Sequence, residues 1–131
     1  MAAQTDFWGD IVPTVVRTPA AILKEQAAFL GAKTKNLIEA RVATEAAFGE
    51  IRHRFLLVVP ALDHYSYQLF RIEHDVNLYP VTVESEPPVR LDSERDFNNW
   101  LQAKLSSDHT KKIVGNLLAQ VAGDPPSPCA V

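Results

Sequence analysis

Two acid–histidine pairs, Asp63-His64 and His74-Asp75, flank the segment between residues 61 and 75. An imidazole beside a carboxylate can relay a proton or ligate a divalent metal. The residues between the pairs alternate as in a strand, and roughly seven strand residues at about 3.3 Å each would hold the two histidines about 20 Å or more apart. Zinc ligands lie about 2.0–2.2 Å from the metal, so the two pairs cannot form one site.

His53 offers His74 a closer partner. If consecutive strands run antiparallel, His53 near the start of one strand lies beside His74 at the end of the next, and both point toward the core. Together with Asp75 they could bind a divalent metal or act as a general acid–base pair, which gives the alternative of a small hydrolase, nuclease or metal-binding domain. A register slip of one residue would instead place the histidines on opposite faces of the sheet.

We favour the interpretation that these histidines lie at a sheet edge, where backbone or carboxylate groups bond to their ring nitrogens. Their spacing matches no zinc signature such as HExxH, and the single cysteine, Cys129, lies in the C-terminal tail. No serine is flanked by the glycines of a nucleophile elbow. We therefore expect no metal and no cofactor, and we favour a protein that is not an enzyme.

Helices and strands must position these groups, and the pattern predicts both. Thr18 before Pro19 marks a helix start, because threonine caps a helix and proline fits its first position. Alternating residues then predict four strands, near positions 38–43, 51–59, 67–74 and 81–85. Two helices follow a rigid proline segment, one capped by Ser93 and one that begins after Ser106 or Ser107 and ends at Gly123.

The resulting order, α-β-β-β-β-α-α, predicts a two-layer α+β sandwich. Its four-stranded antiparallel meander would carry the N-terminal helix and the two C-terminal helices on one face. We expect an N-terminal arm at residues 1–17, a single α+β domain at 18–123, and a disordered proline-rich tail at 124–131.

The sheet face away from the helices is predicted to have an apolar centre and charged margins. Leu56, Val58 and Leu69 would lie there without cover, and exposed apolar area of this kind marks an interface. The N-terminal arm, which carries Phe7 and Trp8, could instead lie over this face, or the two faces could be reversed. The interface that we predict consists of Phe7, Trp8, Leu56, Val58 and Leu69, with Arg52, Arg54 and Arg71 at its rim.

Those arginines have a second interpretation. With Arg41, they could form an anion-binding module, because guanidinium groups bind phosphate and carboxylate in a bidentate manner. Glutamates 39, 73 and 84 occupy similar alternating positions, and cross-strand ion pairs are the more common use of such a mixture. We favour the ion pairs.

Composition limits the function further. The chain has 131 residues, 47% of them hydrophobic, and a net charge of −3, which argues against a dedicated nucleic-acid binder with its basic stripe. A single cysteine, no basic leader segment and no apolar run long enough to cross a bilayer predict a cytoplasmic protein without a membrane partner. The function we predict is a non-enzymatic interaction domain that binds another protein or, as a homodimer, itself.

Overall fold

The helices and strands are described over residues 6–122 in a computed structural model of the chain. They are α1 (Pro19–Lys33), β1 (Glu39–Ala47), β2 (Glu50–Val59), a 3₁₀ helix (Pro60–Leu62), β3 (Tyr65–His74), β4 (Val81–Val83), β5 (Val89–Leu91), α2 (Glu94–Leu105) and α3 (Asp108–Ala122). All strands pair antiparallel in one sheet, in the order β1-β2-β3-β4-β5. The predicted α+β class and order of elements are confirmed, with one strand more than expected.

The additional strand is β5, which follows prolines that the sequence predicts to end the sheet. It pairs with β4 from Val81 opposite Leu91 to Val83 opposite Val89. Proline has no N–H to donate to a ladder, but Pro87 and Pro88 lie in the connection between β4 and β5. The next three residues therefore form a short edge strand, too short for an alternating pattern to be visible in the sequence.

Both ends of α1 are defined by threonines. The hydroxyl of Thr18 accepts a hydrogen bond from the N–H of Ala21 at 3.1 Å, as predicted for the cap. At the other end, the buried Thr34 hydroxyl donates to the carbonyl of Leu30 at 3.0 Å and accepts from the N–H of Ile38 at 3.2 Å. Thr34 thus joins the last helical turn to the start of β1.

One apolar core lies between the sheet and the three helices. Phe55 of β2 stacks on Phe70 of β3 with ring centroids 5.1 Å apart, and Phe70 meets the edge of Trp100 of α2 at 5.1 Å. Ile22 of α1 and Leu117 of α3 belong to the same cluster. All three helices therefore cover one face of the sheet, as the sequence predicts.

The described part of the chain contains no helix that is long and apolar enough to cross a membrane. The predicted helix stop at Gly123, the tail at 124–131 and Cys129 lie outside the described residues.

Candidate functional site

The histidines that the sequence pairs do lie together. Ile51 pairs with His74 and His53 pairs with Ile72 across β2 and β3, which brings the Nε2 atoms of His53 and His74 to 2.9 Å. Both side chains are buried, at 3% and 5% exposure. His64 lies at the far end of β3 in the turn that precedes it, so the two acid–histidine pairs remain separate.

Each ring nitrogen of the pair has a partner. His74 Nδ1 lies 2.8 Å from the Asp75 carbonyl oxygen and His53 Nδ1 lies 2.9 Å from the Thr44 hydroxyl. A carbonyl only accepts, so His74 Nδ1 carries the proton that it donates. With both rings neutral, His53 Nε2–H then donates to His74 Nε2, and the Thr44 hydroxyl donates to His53 Nδ1. These contacts leave no lone pair on either ring for a metal.

The Asp75 residue meets the histidine pair through its backbone, and its carboxylate bonds within its own turn. Its Oδ1 accepts from the N–H of Asn77 at 2.8 Å, within its own turn, while its backbone carbonyl takes the His74 proton. Among the described residues, no group of three or more histidine, cysteine, aspartate or glutamate side chains could hold a metal ion. The arrangement supplies polar groups that satisfy one another inside the core.

Burial, followed by the neighbouring His74 and then Lys24, lowers the pKa of His53 from 6.5 to about 4. The His53 imidazole is consequently neutral at physiological pH, which fits the chain of hydrogen bonds from Thr44 to Asp75.

The outer sheet face carries the ion pairs that the sequence favours. Arg41 pairs with Glu39, Arg52 pairs with Glu73, and Arg71 pairs with Glu84. Of the four arginines, Arg54 differs: it lies opposite Arg71 in the register, and its buried Nε has no hydrogen-bond partner among the described residues.

The prediction that this face has an exposed apolar centre is largely wrong. The register of β2 and β3 shifts between Phe55, which pairs with Phe70, and Leu56, which pairs with Gln68. Leu69 is therefore the extra residue of a bulge in β3. The bulge interrupts strict alternation, and Leu69 turns into the core, where it is 9% exposed. Val58 is also buried, at 6%, and Leu56 is half-buried. No large apolar patch is left on the described strands.

Exposed apolar area is concentrated instead in the N-terminal arm, by which we mean residues 6–17. Its large apolar side chains are between 44% and 97% exposed: Phe7, Trp8, Ile11, Val12, Val15 and Val16. The arm therefore does not cover the sheet, which excludes the alternative of self-coverage for the described residues.

The base of the arm is held firmly. The Arg17 N–H donates to Glu94 at the start of α2, its guanidinium pairs with Glu25 of α1 at 3.0 Å, and its carbonyl accepts from the Tyr79 hydroxyl at 3.0 Å. Burial, with Glu94 next in effect, raises the pKa of Tyr79 to about 12, so its hydroxyl keeps the proton that it donates.

A cleft of about 840 Å³ opens beside this base, between α1 on one side and α2 and α3 on the other. Its floor is formed by Phe55, Leu57 and Leu69 of the sheet. Phe29 of α1 lines the wall and remains 53% exposed. Volumes of this size are typical of binding pockets with mainly apolar walls.

Sequence reasoning missed the cleft. The apolar stripes of α1, α2 and α3 were visible, but the angle at which helices separate over a sheet is not encoded in any one stripe. The one available signal was Phe29, because the short apolar stripe of α1 cannot bury this additional aromatic side chain.

Comparisons of the chain with protein-family models, with curated proteins and with solved structures gave no match.

Proposed function

We propose that this protein is a non-enzymatic interaction domain whose N-terminal arm binds another polypeptide chain. The observation that carries the proposal is the set of large apolar side chains on the arm, which extend into solvent from a firmly held base. Complete burial of one such side chain stabilises a complex by about 1.5–3 kcal/mol. Isolated apolar residues on a surface are common, whereas a contiguous group marks a binding segment.

Trp8 is the residue that we expect to contribute most. Tryptophan is enriched among the residues that dominate binding energies, because it buries a large rigid surface. In the arm it is 80% exposed, directly beside the still more exposed Phe7.

A photoreactive benzoylphenylalanine at position 8, introduced into the full chain in its native cells, tests this function. Val76, which is 84% exposed in the turn after β3, is the matched control position. We expect a defined polypeptide, either a second copy or a different protein, to be cross-linked from position 8 and not from position 76. Equal labelling from both positions, or none from position 8, would contradict the proposal.

A second candidate function, anion binding on the outer sheet face, is favoured by Arg54 alone. Arg54 pairs with Arg71 in the register, and its buried Nε has no hydrogen-bond partner within residues 6–122, so an oxyanion could accept from it. Inorganic phosphate should then raise the melting temperature of the protein, and Arg54→Gln should abolish that increase while Arg90→Gln, at the exposed pair with Asp92, should not. If all three proteins respond equally, this candidate is wrong.

A further inference from the structure

We propose that the cleft between α1 and α2–α3 receives the arm of a second copy, so that two chains exchange arms reciprocally. This inference rests on the proposed function, because it requires the arm to be the binding segment. It adds the identity of the partner and the site at which the arm is bound.

The area available approaches that of a stable dimer. Phe and Trp side chains bury about 150–250 Å² each, so Phe7 and Trp8 of two arms would together remove roughly 600–1,000 Å² from water. The walls of the two clefts would lose a smaller area, since floor residues such as Phe55 and Leu57 are already almost fully buried. The sum lies near the lower end of the range of about 1,200–2,000 Å² that is typical of stable interfaces.

The charges of arm and cleft are complementary. The arm carries Asp6 and Asp10 around its aromatic pair. Lys33 and Lys111 line the cleft, and neither forms an ion pair with any residue that the structure describes. At the base of the arm, by contrast, Arg17 is already neutralised by Glu25. An incoming arm would therefore find its apolar residues matched by the floor and its carboxylates by the lysines.

The described arm does not occupy its own cleft. Of residues 6–17, only Arg17 lines the cleft, and the large apolar side chains of the arm are exposed. Residues 6–16 can extend up to about 36 Å, at about 3.3 Å per residue. A segment of this length has the reach to enter the cleft of a second copy, and exchange of identical segments is a common route to dimers.

Disulfide capture between two separately prepared variants tests this inference. In a Cys129→Ser background, one preparation carries Val12→Cys, which leaves Phe7 and Trp8 in place, and the other carries Gly115→Cys together with a size tag. A β-carbon at Gly115, which lines the cleft, would have open space around it, so the substitution is tolerated. Asn116→Cys, at an exposed neighbouring position of α3 that does not line the cleft, is the control.

After mixing and mild oxidation, we expect a tagged–untagged heterodimer with Gly115→Cys at several times the yield obtained with Asn116→Cys. A Val12→Cys/Gly115→Cys double variant diluted into excess wild type that forms only an internal disulfide would overturn the exchange, because the arm would then occupy its own cleft. A monomeric chain carrying a small apolar ligand in native mass spectrometry would overturn it as well.

Light scattering after size exclusion separates this inference from the proposed function. We expect a dimer, with the dissociation constant raised at least about tenfold by Phe7→Ser/Trp8→Ser, which corresponds to about 1.4 kcal/mol, and unchanged by Val76→Ser. If the arm substitutions weaken dimerisation but position 115 captures nothing, the cleft is the wrong receptor and the arm remains the binding segment. If the chain is monomeric and position 8 cross-links a different protein, the exchange is wrong and the interaction function stands. Without association or cross-linking, both fail.

Discussion

Replacement of His53 by glutamine should make the unfolding free energy of this protein less dependent on pH. His53 is 3% exposed and lies in the chain of hydrogen bonds from Thr44 through His74 to the Asp75 carbonyl. Its pKa is about 4 in the folded protein, mainly because burial disfavours the imidazolium.

The sign of the effect follows from the order in which the two states bind a proton. As the pH falls through 6.5, the unfolded chain protonates at His53 first, and the folded protein follows only near pH 4. Stability that is fully present above pH 6.5 is therefore lost progressively down to about pH 4. The two pKa values differ by about 2.5, and at about 1.36 kcal/mol for each pH unit the loss is about 3 kcal/mol.

Urea unfolding followed by tryptophan fluorescence, at pH values from 7.5 to 4 and one protein concentration, measures this loss. At pH 7.5 His53→Gln should cost about 1–3 kcal/mol, because His74 and Thr44 lose a buried partner. The stability of wild type relative to His53→Gln should then fall by about 3 kcal/mol as the pH falls to 4, so that the variant becomes as stable as wild type or more stable. His109→Gln, at an exposed position in the first turn of α3, controls for loss of a histidine as such. A His53→Gln deficit that stays constant across this pH range would refute the reasoning.

Three further changes test the fold itself by the same urea assay. Thr34→Val should cost about 1–3 kcal/mol, since buried groups of α1 and β1 lose the hydroxyl that joins them; a neutral effect would contradict that role. Leu69→Ala should lower the free energy of unfolding by about 2–5 kcal/mol and Leu56→Ala by clearly less, because only Leu69 turns into the core. A larger loss for Leu56→Ala would mean that Leu69 lies on the outer face, as the sequence predicts. Ser93→Ala should cost about 1 kcal/mol through loss of the α2 cap, and an unchanged midpoint would show that this cap is dispensable.

Features set by near neighbours in the sequence could be predicted. The cap at Thr18 and the proximity of His53 to His74 follow from local residue types and from the short connection between two strands. The burial of Leu69 could not be predicted, because a bulge depends on how two strands pair. In the sequence, Leu69 looks like an ordinary strand leucine whether or not the bulge forms. The cleft depends on the spacing of three helices, which no single segment determines.

Because Leu69 is buried by the bulge and the arm is exposed, the candidate interface lies on the helical side of the molecule and not on the sheet face that the sequence predicts. Once Leu69 turns inward, the outer face keeps mainly arginines and glutamates that pair with each other, and such exposed pairs contribute little to binding. The largest group of exposed apolar side chains then lies on the arm, and Phe29 is half-exposed beside the cleft. Both surfaces meet at Arg17, which lines the cleft and forms the base of the arm. Because a binding segment and an apolar cleft lie side by side in one chain, and the described arm does not enter its own cleft, a second copy can bind both at once, and the dimer that we propose would leave neither surface uncovered.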